Sequence, residues 1–460
     1  MTFLRLILVT LLGGAYAASA APNILLIYVD DLGYGDLSSF GHRVIKTPVL
    51  DKLASEGLTL TNYYAPSALC SPSRAGLLTG RHPYRTGIKS WIPADSGVYL
   101  RSEEITLAEL FKTKGYSTAL VGKWHLNSGL NSDSEPQPND QGFDYFYGHN
   151  AFQIPTNRNP TNIYRNGSAL GPQQGYTADL YADEAIGWLE RRAGGNPFFL
   201  MLSMAEPHTA IENPPKYSQM YADYSKGPAV PIPSGLPQIP KEKLIPNGPG
   251  EYYANITYMD AQIGRVLKAL DKSGRAEDTL VVFASDNGPV TSRWINYWEV
   301  NSYGSTAGLR ARKHFLYEGG IKVPAIIRYP GVTRPGSTTD ELVVGSDLFT
   351  TLALIGGAEV PKDRAIDGID ILPVLSGGKL PERTVVWALD SVSDLEFAVR
   401  HGDWKLMLDR ERKPKELYNL AEDRLELFNL LTEQEQVTLE LTEKFQAAWS
   451  SIDADPLRPH

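Results

Sequence analysis

The sequence predicts an α/β protein: a large domain built on a mostly parallel sheet with helices on both faces, then a smaller C-terminal unit of strands and a helix. Three observations predict it. Four short apolar runs, NILLIYV (23–29), YSTALVG (116–122), FFLMLSM (198–204) and TLVVFAS (279–285), are bounded by turn signals and separated by stretches of helical spacing. Continuous apolar runs of that length read as strands buried on both faces, the pattern of parallel sheets. Each run leads at once to residues able to do chemistry: Asp30-Asp31, Lys123 and His125, Glu206 and His208, and Asp286-Asn287. Ligands of such sheets bind beyond the carboxyl ends of the strands, so four deliveries to one edge predict a site there.

Taken in order, residues 1–20 carry one positive charge, Arg5, an apolar run from Leu6 to Leu12, and the small residues Ala18-Ser19-Ala20. That is the pattern of a signal peptide, cut near Ala20. Its apolar core is shorter than the ~20 residues a spanning helix needs, so the expectation is an exported, periplasmic or secreted protein without a membrane span. TPVLDKLASEG (47–57) reads as a helix with Thr47 as N-cap, Pro48 in the first turn and Gly57 as stop. In YYANITYMDAQIGRVLKALDKSG, Ile256, Met259, Ile263, Val266, Leu267 and Leu270 repeat at helical spacing and Gly274 ends the element. Asn255 opens an N-x-T sequon inside that helix and is discounted as a glycan site. The Pro-rich stretch from Pro207 to Pro249 reads as a long surface excursion over the active face. Strand-like TVVWALD and FAVRHGDWKLMLD, then a helix from Glu433 to Ser450, make the C-terminal unit. The expected division is 1–20, 21–375 and 376–460.

Net charge is −9, and losing Arg5 with the leader makes it −10, which argues against a nucleic-acid partner. An anionic substrate would have to be held locally, by a metal or a few buried cations. Asp30, Asp31, Asp286 and Asn287 offer hard oxygen ligands, which suit Ca²⁺ or Mg²⁺ better than Zn²⁺, although each pair alone also reads as a turn or cap. His125 and His208, on separate strand ends facing one metal, are candidate acid/base groups. Lys123 and Lys313 are candidate clamps for a tetrahedral anion. Cys70 is the only cysteine in 460 residues. In an exported protein such a thiol is buried and inert, paired with another chain, or chemically used. SPSRAGLL after it places it at a helix N-terminus, where the dipole favours negative charge on the side chain.

Cys70-Ser71-Pro72-Ser73-Arg74, continuing to Leu78-Thr79-Gly80-Arg81, resembles the signature of the type I sulfatases, in which C-x-P-S-R directs oxidation of the cysteine to formylglycine. VDDLGYGD (29–36), GKWHL (122–126), GFDYFYGHN (142–150), EPH (206–208), SDNG (285–288) and LRARKHFLYEGGIKVP (309–324) match the family in order. AVRHGDWKLM (398–407) and ELYNLAEDRLELFNL (416–430) resemble its C-terminal domain, and His314 departs from the pattern where a small residue follows the lysine. The resemblance implies an alkaline phosphatase-like fold: a large mixed, mostly parallel sheet sandwiched by helices, with a C-terminal α+β domain of antiparallel strands and a packed helix. It implies that Asp30, Asp31, Asp286, Asn287 and modified Cys70 bind Ca²⁺, in preference to Mg²⁺. Arg74 would hold the aldehyde hydrate, Lys123 and Lys313 the sulfate oxygens, while His208 protonates the leaving oxygen and His125 accepts the proton that releases sulfate. A formylglycine-generating or anaerobic sulfatase-maturating enzyme is the implied maturation partner.

The expected substrate is a sulfated polysaccharide or oligosaccharide. Trp91, Trp294 and Trp298 can offer faces to sugar rings, and His149, Arg158, Arg165 and Arg293 are candidates for the pocket wall. Three readings compete: a formylglycine-dependent phosphodiesterase or phosphonate monoester hydrolase, a noncatalytic glycan-binding homologue, and a metal-dependent phosphatase using Ser71 or Ser73. The last does not explain the position of the sole cysteine.

Overall fold

In the computed structural model the described residues are 21–192, 195–208, 210–226, 248–290 and 303–459. The strands are β1 (Asn23–Val29), β2 (Leu58–Leu60), β3 (Tyr63–Tyr64), β4 (Ser117–Lys123), β5 (Tyr145–His149), β6 (Tyr164–Arg165), β7 (Ser168–Ala169), β8 (Phe198–Ser203), β9 (Thr279–Ser285), β10 (Ala325–Arg328), β11 (Ser337–Thr339), β12 (Val343–Val344), β13 (Thr384–Ala388), β14 (Phe397–His401), β15 (Trp404–Leu408) and β16 (Pro414–Asn419). The α-helices are α1 (Pro48–Glu56), α2 (Cys70–Thr79), α3 (Pro83–Thr86), α4 (Leu107–Thr113), α5 (Thr177–Glu190), α6 (Pro215–Met220), α7 (Gly248–Lys272), α8 (Glu318–Ile321), α9 (Gly345–Ile355), α10 (Leu372–Leu375) and α11 (Glu435–Asp453).

Ten strands form one sheet in the order β11-β2-β10-β9-β1-β8-β4-β5-β6-β7. The four apolar runs lie side by side at its centre: β1 pairs in parallel with β8 and β9, and β4 with β8 and β5. The antiparallel pairings lie outside this core, at β10 and at the β5-β6-β7 edge. The sheet is therefore mixed and mostly parallel. The second run is displaced by one residue from the sequence reading, so Lys123 itself closes β4.

Strand alternation splits the core in two. Ile24, Leu26 and Tyr28 face a layer that includes Leu77 and Leu78 of α2, Leu107 and Phe111 of α4, and Phe349 of α9. Leu25, Ile27 and Val29 face Leu50 and Leu53 of α1, Tyr181 and Trp188 of α5, and Ile256, Met259, Ile263, Val266 and Leu270 of α7. Covering both faces explains why the runs carry no polar alternation. Asn255 is buried in α7 and donates to Asn213 Oδ1 at 2.9 Å.

At the N-terminus of α1, Thr47 occupies the cap position, but its hydroxyl donates to Asp51 Oδ1 (3.1 Å) instead of accepting from the helix. The exposed donors are taken by Asp260 of α7, which accepts from Val49 N (3.1 Å) and Leu50 N (2.8 Å). A residue 210 positions away supplies the capping oxygens.

The C-terminal unit is an antiparallel sheet, β13-β14-β15-β16. One face packs Phe397, Leu406 and Leu417 against Leu441, Phe445, Trp449 and Ile452 of α11. The other places Trp387, Ala398, Met407 and Tyr418 against Tyr64, Leu69 and Leu316 of the large domain. The helix begins two residues later than the sequence reading and runs to Asp453.

Burial raises the Asp260 carboxyl to about 7. Asp260→Ala is expected to lower stability to urea by about 1–2 kcal/mol, because two helix donors lose their acceptor. Since its folded value exceeds the ordinary 3.8, its contribution is complete at low pH and is lost as pH rises toward about 7. Urea titrations of wild type and Asp260→Asn should therefore converge or cross in that direction across this window; parallel curves would show that this carboxyl does not titrate there.

Candidate active site

The carboxyl ends of β1, β4, β8 and β9 converge on one buried cluster, and loops and helix ends add the rest. Asp30 and Asp31 leave β1; Asp30 N donates to Glu206 O (3.3 Å), and Asp286 N to Val29 O (3.0 Å). These backbone bonds continue the sheet one residue past its strands. Asp31 has φ of 64°, a left-handed conformation rare for a residue with a side chain, and its N–H donates to Asp286 Oδ1 at 3.1 Å. The turn brings successive carboxylates into the same site.

Three carboxylates there meet three cations. Lys123 Nζ lies 2.5 Å from Asp30 Oδ2, and Lys313 Nζ lies 2.5 Å from Asp31 Oδ1. Arg74, one helical turn after Cys70 on α2, donates from Nη2 to Asp286 Oδ2 (2.8 Å), and from Nη1 to Ser203 Oγ (2.6 Å) and Lys123 O (3.2 Å). All six charged residues are buried. Burial raises the Asp30 carboxyl, but Lys123, His208, Arg74 and Lys313 together outweigh it and hold the group well below its usual range. Burial and Asp30 push Asp286 up to about 7.

Cys70 is the first residue of α2, and its Sγ lies 3.2 Å from Lys313 Nζ. The helix N-terminus favours an anion there, yet burial and Asp30 push the thiol up to about 12. The dipole expectation is thus outweighed, and an unaltered Cys70 is a thiol at neutral pH. One oxygen or sulfur atom each from Asp30, Asp31 and Cys70 and a ring nitrogen of His208 lie within 4.8 Å of one another. His208 Nε2 is 3.7 Å from Asp31 Oδ2.

Asn287 donates from Nδ2 to Asp31 Oδ1 (2.7 Å) and to Gly288 O (2.8 Å). Its Oδ1, with Asp30 Oδ1 and Asp31 Oδ2, is buried without a hydrogen-bond partner. Three orphaned hard oxygens in one site fit a Ca²⁺-type cation.

His125, with φ of 57°, places Nε2 3.1 Å from Ile92 O. A carbonyl only accepts, so Nε2 carries the proton and Nδ1, buried without a partner, is the bare nitrogen. Burial, Lys123 and Arg74 hold the ring well below its ordinary pKa, so it is neutral. Ile92 N donates in turn to Ser71 Oγ (3.1 Å), which ties the 89–92 loop to the start of α2. Trp91 on that loop is 45% exposed.

The other proposed wall residues separate. His149 is buried at the end of β5, and its Nδ1 pairs with the Tyr181 hydroxyl. Arg165, on β6 next to the edge strand, is engaged by Glu184 at 2.6 Å and by the Tyr145 hydroxyl at 3.0 Å. Arg158 is exposed, 5.8 Å from the Tyr176 ring centroid. Arg293, Trp294 and Trp298 lie outside the described residues. Sequence reading passed over Ser203, Ile92 and Tyr181, which support Arg74, His125 and His149. A serine in an apolar strand and a loop carbonyl carry no motif.

Comparison with known proteins bears on the whole chain. The sulfatase family model matches residues 22–358, and the model for the C-terminal region of N-sulphoglucosamine sulphohydrolase matches residues 311–450. Bovine (Bos taurus) arylsulfatase A is 33% identical over 482 residues, covering 93% of this chain and 87% of the relative. Human (Homo sapiens) N-acetylgalactosamine-6-sulfatase is 33% identical, covering 81% of this chain and 69% of the relative. Among solved structures, Ps i-CgsB in complex with k-i-k-neocarrahexaose superposes with a TM-score of 0.77 at 26% identity, covering 94% of this chain and 93% of that one. With its fold, its buried charged cluster and a family model spanning most of its length, the chain belongs to the sulfatase family, of the alkaline phosphatase-like superfamily, and is a sulfuric ester hydrolase.

Proposed function

We propose that this chain removes sulfate from a sulfated polysaccharide or oligosaccharide, using formylglycine made from Cys70 and a Ca²⁺ ion. The observation that carries the chemistry is the position of the sole cysteine: first residue of a buried helix, 3.2 Å from a lysine and clustered with two aspartates. An unaltered thiol pushed up to about 12 is a poor nucleophile at neutral pH, which favours its conversion to another group. Formylglycine hydrate would supply the attacking oxygen. Asp30, Asp31, Asp286 and Asn287 would hold Ca²⁺, which when bound supplies divalent charge to polarise a sulfate oxygen and stabilise an oxyanion.

The remaining work falls to this chain's side chains. Lys123 and Lys313 would neutralise sulfate oxygens, and Arg74 would orient the side chain at position 70. The three carboxylates cancel the three cations, so a divalent metal leaves a positive surplus for a monoanionic sulfate ester. His208 would donate the proton that the leaving oxygen requires. His125, with Nε2–H committed to Ile92 O, presents bare Nδ1 as a proton acceptor.

Carbohydrate is favoured by the oligosaccharide-bound neighbour and the N-acetylgalactosamine-6-sulfatase relative. Trp91, exposed beside the Ile92 contact to His125, adds an aromatic face at the rim. Export with removal of residues 1–20, before a catalytic domain reaching residue 375 and a C-terminal subdomain from 376, completes the proposal. Among the described residues no helix is long and apolar enough to cross a membrane.

The intact mass of the peptide containing Cys70, from protein made with a maturating enzyme present, is expected about 18 Da below the cysteine form, the change from CH₂SH to CHO. Full turnover by an unaltered thiol would sink the formylglycine reading. Cys70→Ser should lower kcat by more than about a thousandfold while substrate still binds. His208→Ala is expected to slow sugar sulfates more than 4-nitrophenyl sulfate, whose leaving group needs little protonation; equal losses would remove it as the acid. A panel of sulfated oligosaccharides, phosphodiesters and phosphonate monoesters tests the substrate class, with inorganic sulfate release as the expected result and preference for phosphorus esters as the refutation.

A further inference from the structure

We infer that Tyr181 is a positioning residue, which fixes His149 as the Nε2–H tautomer so that the imidazole donates a hydrogen bond to an oxygen of the sulfate ester held beside Lys123. The inference rests on the sulfate-ester reading above and assigns a role to a helix residue with no motif around it.

His149 and Lys123 are register partners on adjacent parallel strands. Side chains at paired positions leave the sheet on the same face, and the residues two before them, Val121 and Tyr147, share one core layer with Tyr181. The His149 ring lies within the electrostatic reach of Lys123, Asp30, Arg74 and His208. Its register position sets His149 beside Lys123, one strand further out from the cluster.

The ring stacks on Tyr181 of α5 with planes 9° apart, and Nδ1 pairs with the phenol oxygen. His149 Nε2 is buried and has no partner among the described residues. Burial and Lys123 hold the imidazole well below its ordinary pKa, so it carries a single N–H. The phenol keeps its proton, since burial and Glu206 raise its pKa well above the usual value. The hydrogen bond of the Tyr181 hydroxyl is the one to His149 Nδ1, while the neighbouring Gln153 Nε2 is buried without a partner among the described residues. A buried phenol that keeps its proton leaves that O–H unsatisfied unless it donates to His149 Nδ1. That leaves the ring proton on Nε2, the one buried polar atom of the pair still without a partner.

Nitrogen-15 NMR of the full chain labelled at histidine reads the tautomer without substrate, with the His149 signals identified by their loss in His149→Gln. An Nε2–H ring in the wild type and its loss or mixing in Tyr181→Phe are expected; an Nδ1–H ring in the wild type overturns the inference. With 4-nitrophenyl sulfate as probe, Tyr181→Phe should lower kcat/KM about tenfold, His149→Ala at least as much, and the double variant no further than His149→Ala. His149→Gln keeps an N–H donor without a tautomer, so it should recover part of the loss and be insensitive to Tyr181→Phe. Unchanged kcat/KM in Tyr181→Phe, or losses that multiply in the double variant, overturn the inference while leaving the sulfatase reading intact. Failure of that reading would appear separately, as a wild type that releases no sulfate.

Discussion

Everything at the carboxyl edge of the sheet depends on a buried balance of charge. Asp30, Asp31 and Asp286 are removed from water together with Lys123, Lys313 and Arg74. An isolated ion in such a place costs several kcal/mol, whereas close pairing with hydrogen bonds recovers much of that penalty. The pairing distances of 2.5–2.8 Å show how tightly the compensation is built. The arrangement also resolves an apparent conflict with composition: a chain of net charge −9 gathers three cations, Lys123, Lys313 and Arg74, in one buried site.

Balance of this kind needs rigid supports, and the large sheet and the C-terminal sheet share that task. Arg74 is fixed by a helix whose every residue is buried, and Ser203 of β8 takes one arm of its guanidinium. The segment carrying Lys313 is tied to the C-terminal sheet. Five residues on, buried Glu318 pairs with Lys405 of β15 (3.0 Å) and accepts from Tyr64 (2.6 Å), and Lys405 also meets Glu426 at 2.8 Å. His314, which departs from the family pattern, places Nδ1 3.0 Å from Ser391 Oγ of the same C-terminal unit. The Trp387 indole donates to Ala65 O at 3.0 Å, five residues before Cys70. The C-terminal sheet therefore buttresses both chain segments that bring Cys70 and Lys313 together.

Much of this was legible in one dimension because it rests on local patterns. Uninterrupted apolar runs such as FFLMLSM report strands covered on both faces, and polar residues directly after them report which edge does chemistry. Helix starts were less legible. Thr47 has the right chemistry and position for a cap, but Asp260 takes the donors because α7 passes close enough to reach them. The same limit applies to Arg165: its sequence suggests a free cation, and the fold spends it on Glu184.

The sequence by itself determined the strand core, the inventory of oxygens, cations and imidazoles, and the one cysteine within its motif. Those properties belong to single residues or to neighbours a few positions apart. Only the tertiary structure decided who pairs with whom: Lys313 with Asp31 across 282 residues, Arg74 with Asp286 across 212, Tyr181 with His149 across 32. It also decided that Cys70 is a buried thiol rather than an activated thiolate, because desolvation and neighbouring carboxylates outweigh the helix terminus. Burial and distance set both outcomes, and neither exists until the sheet has brought its strand ends together.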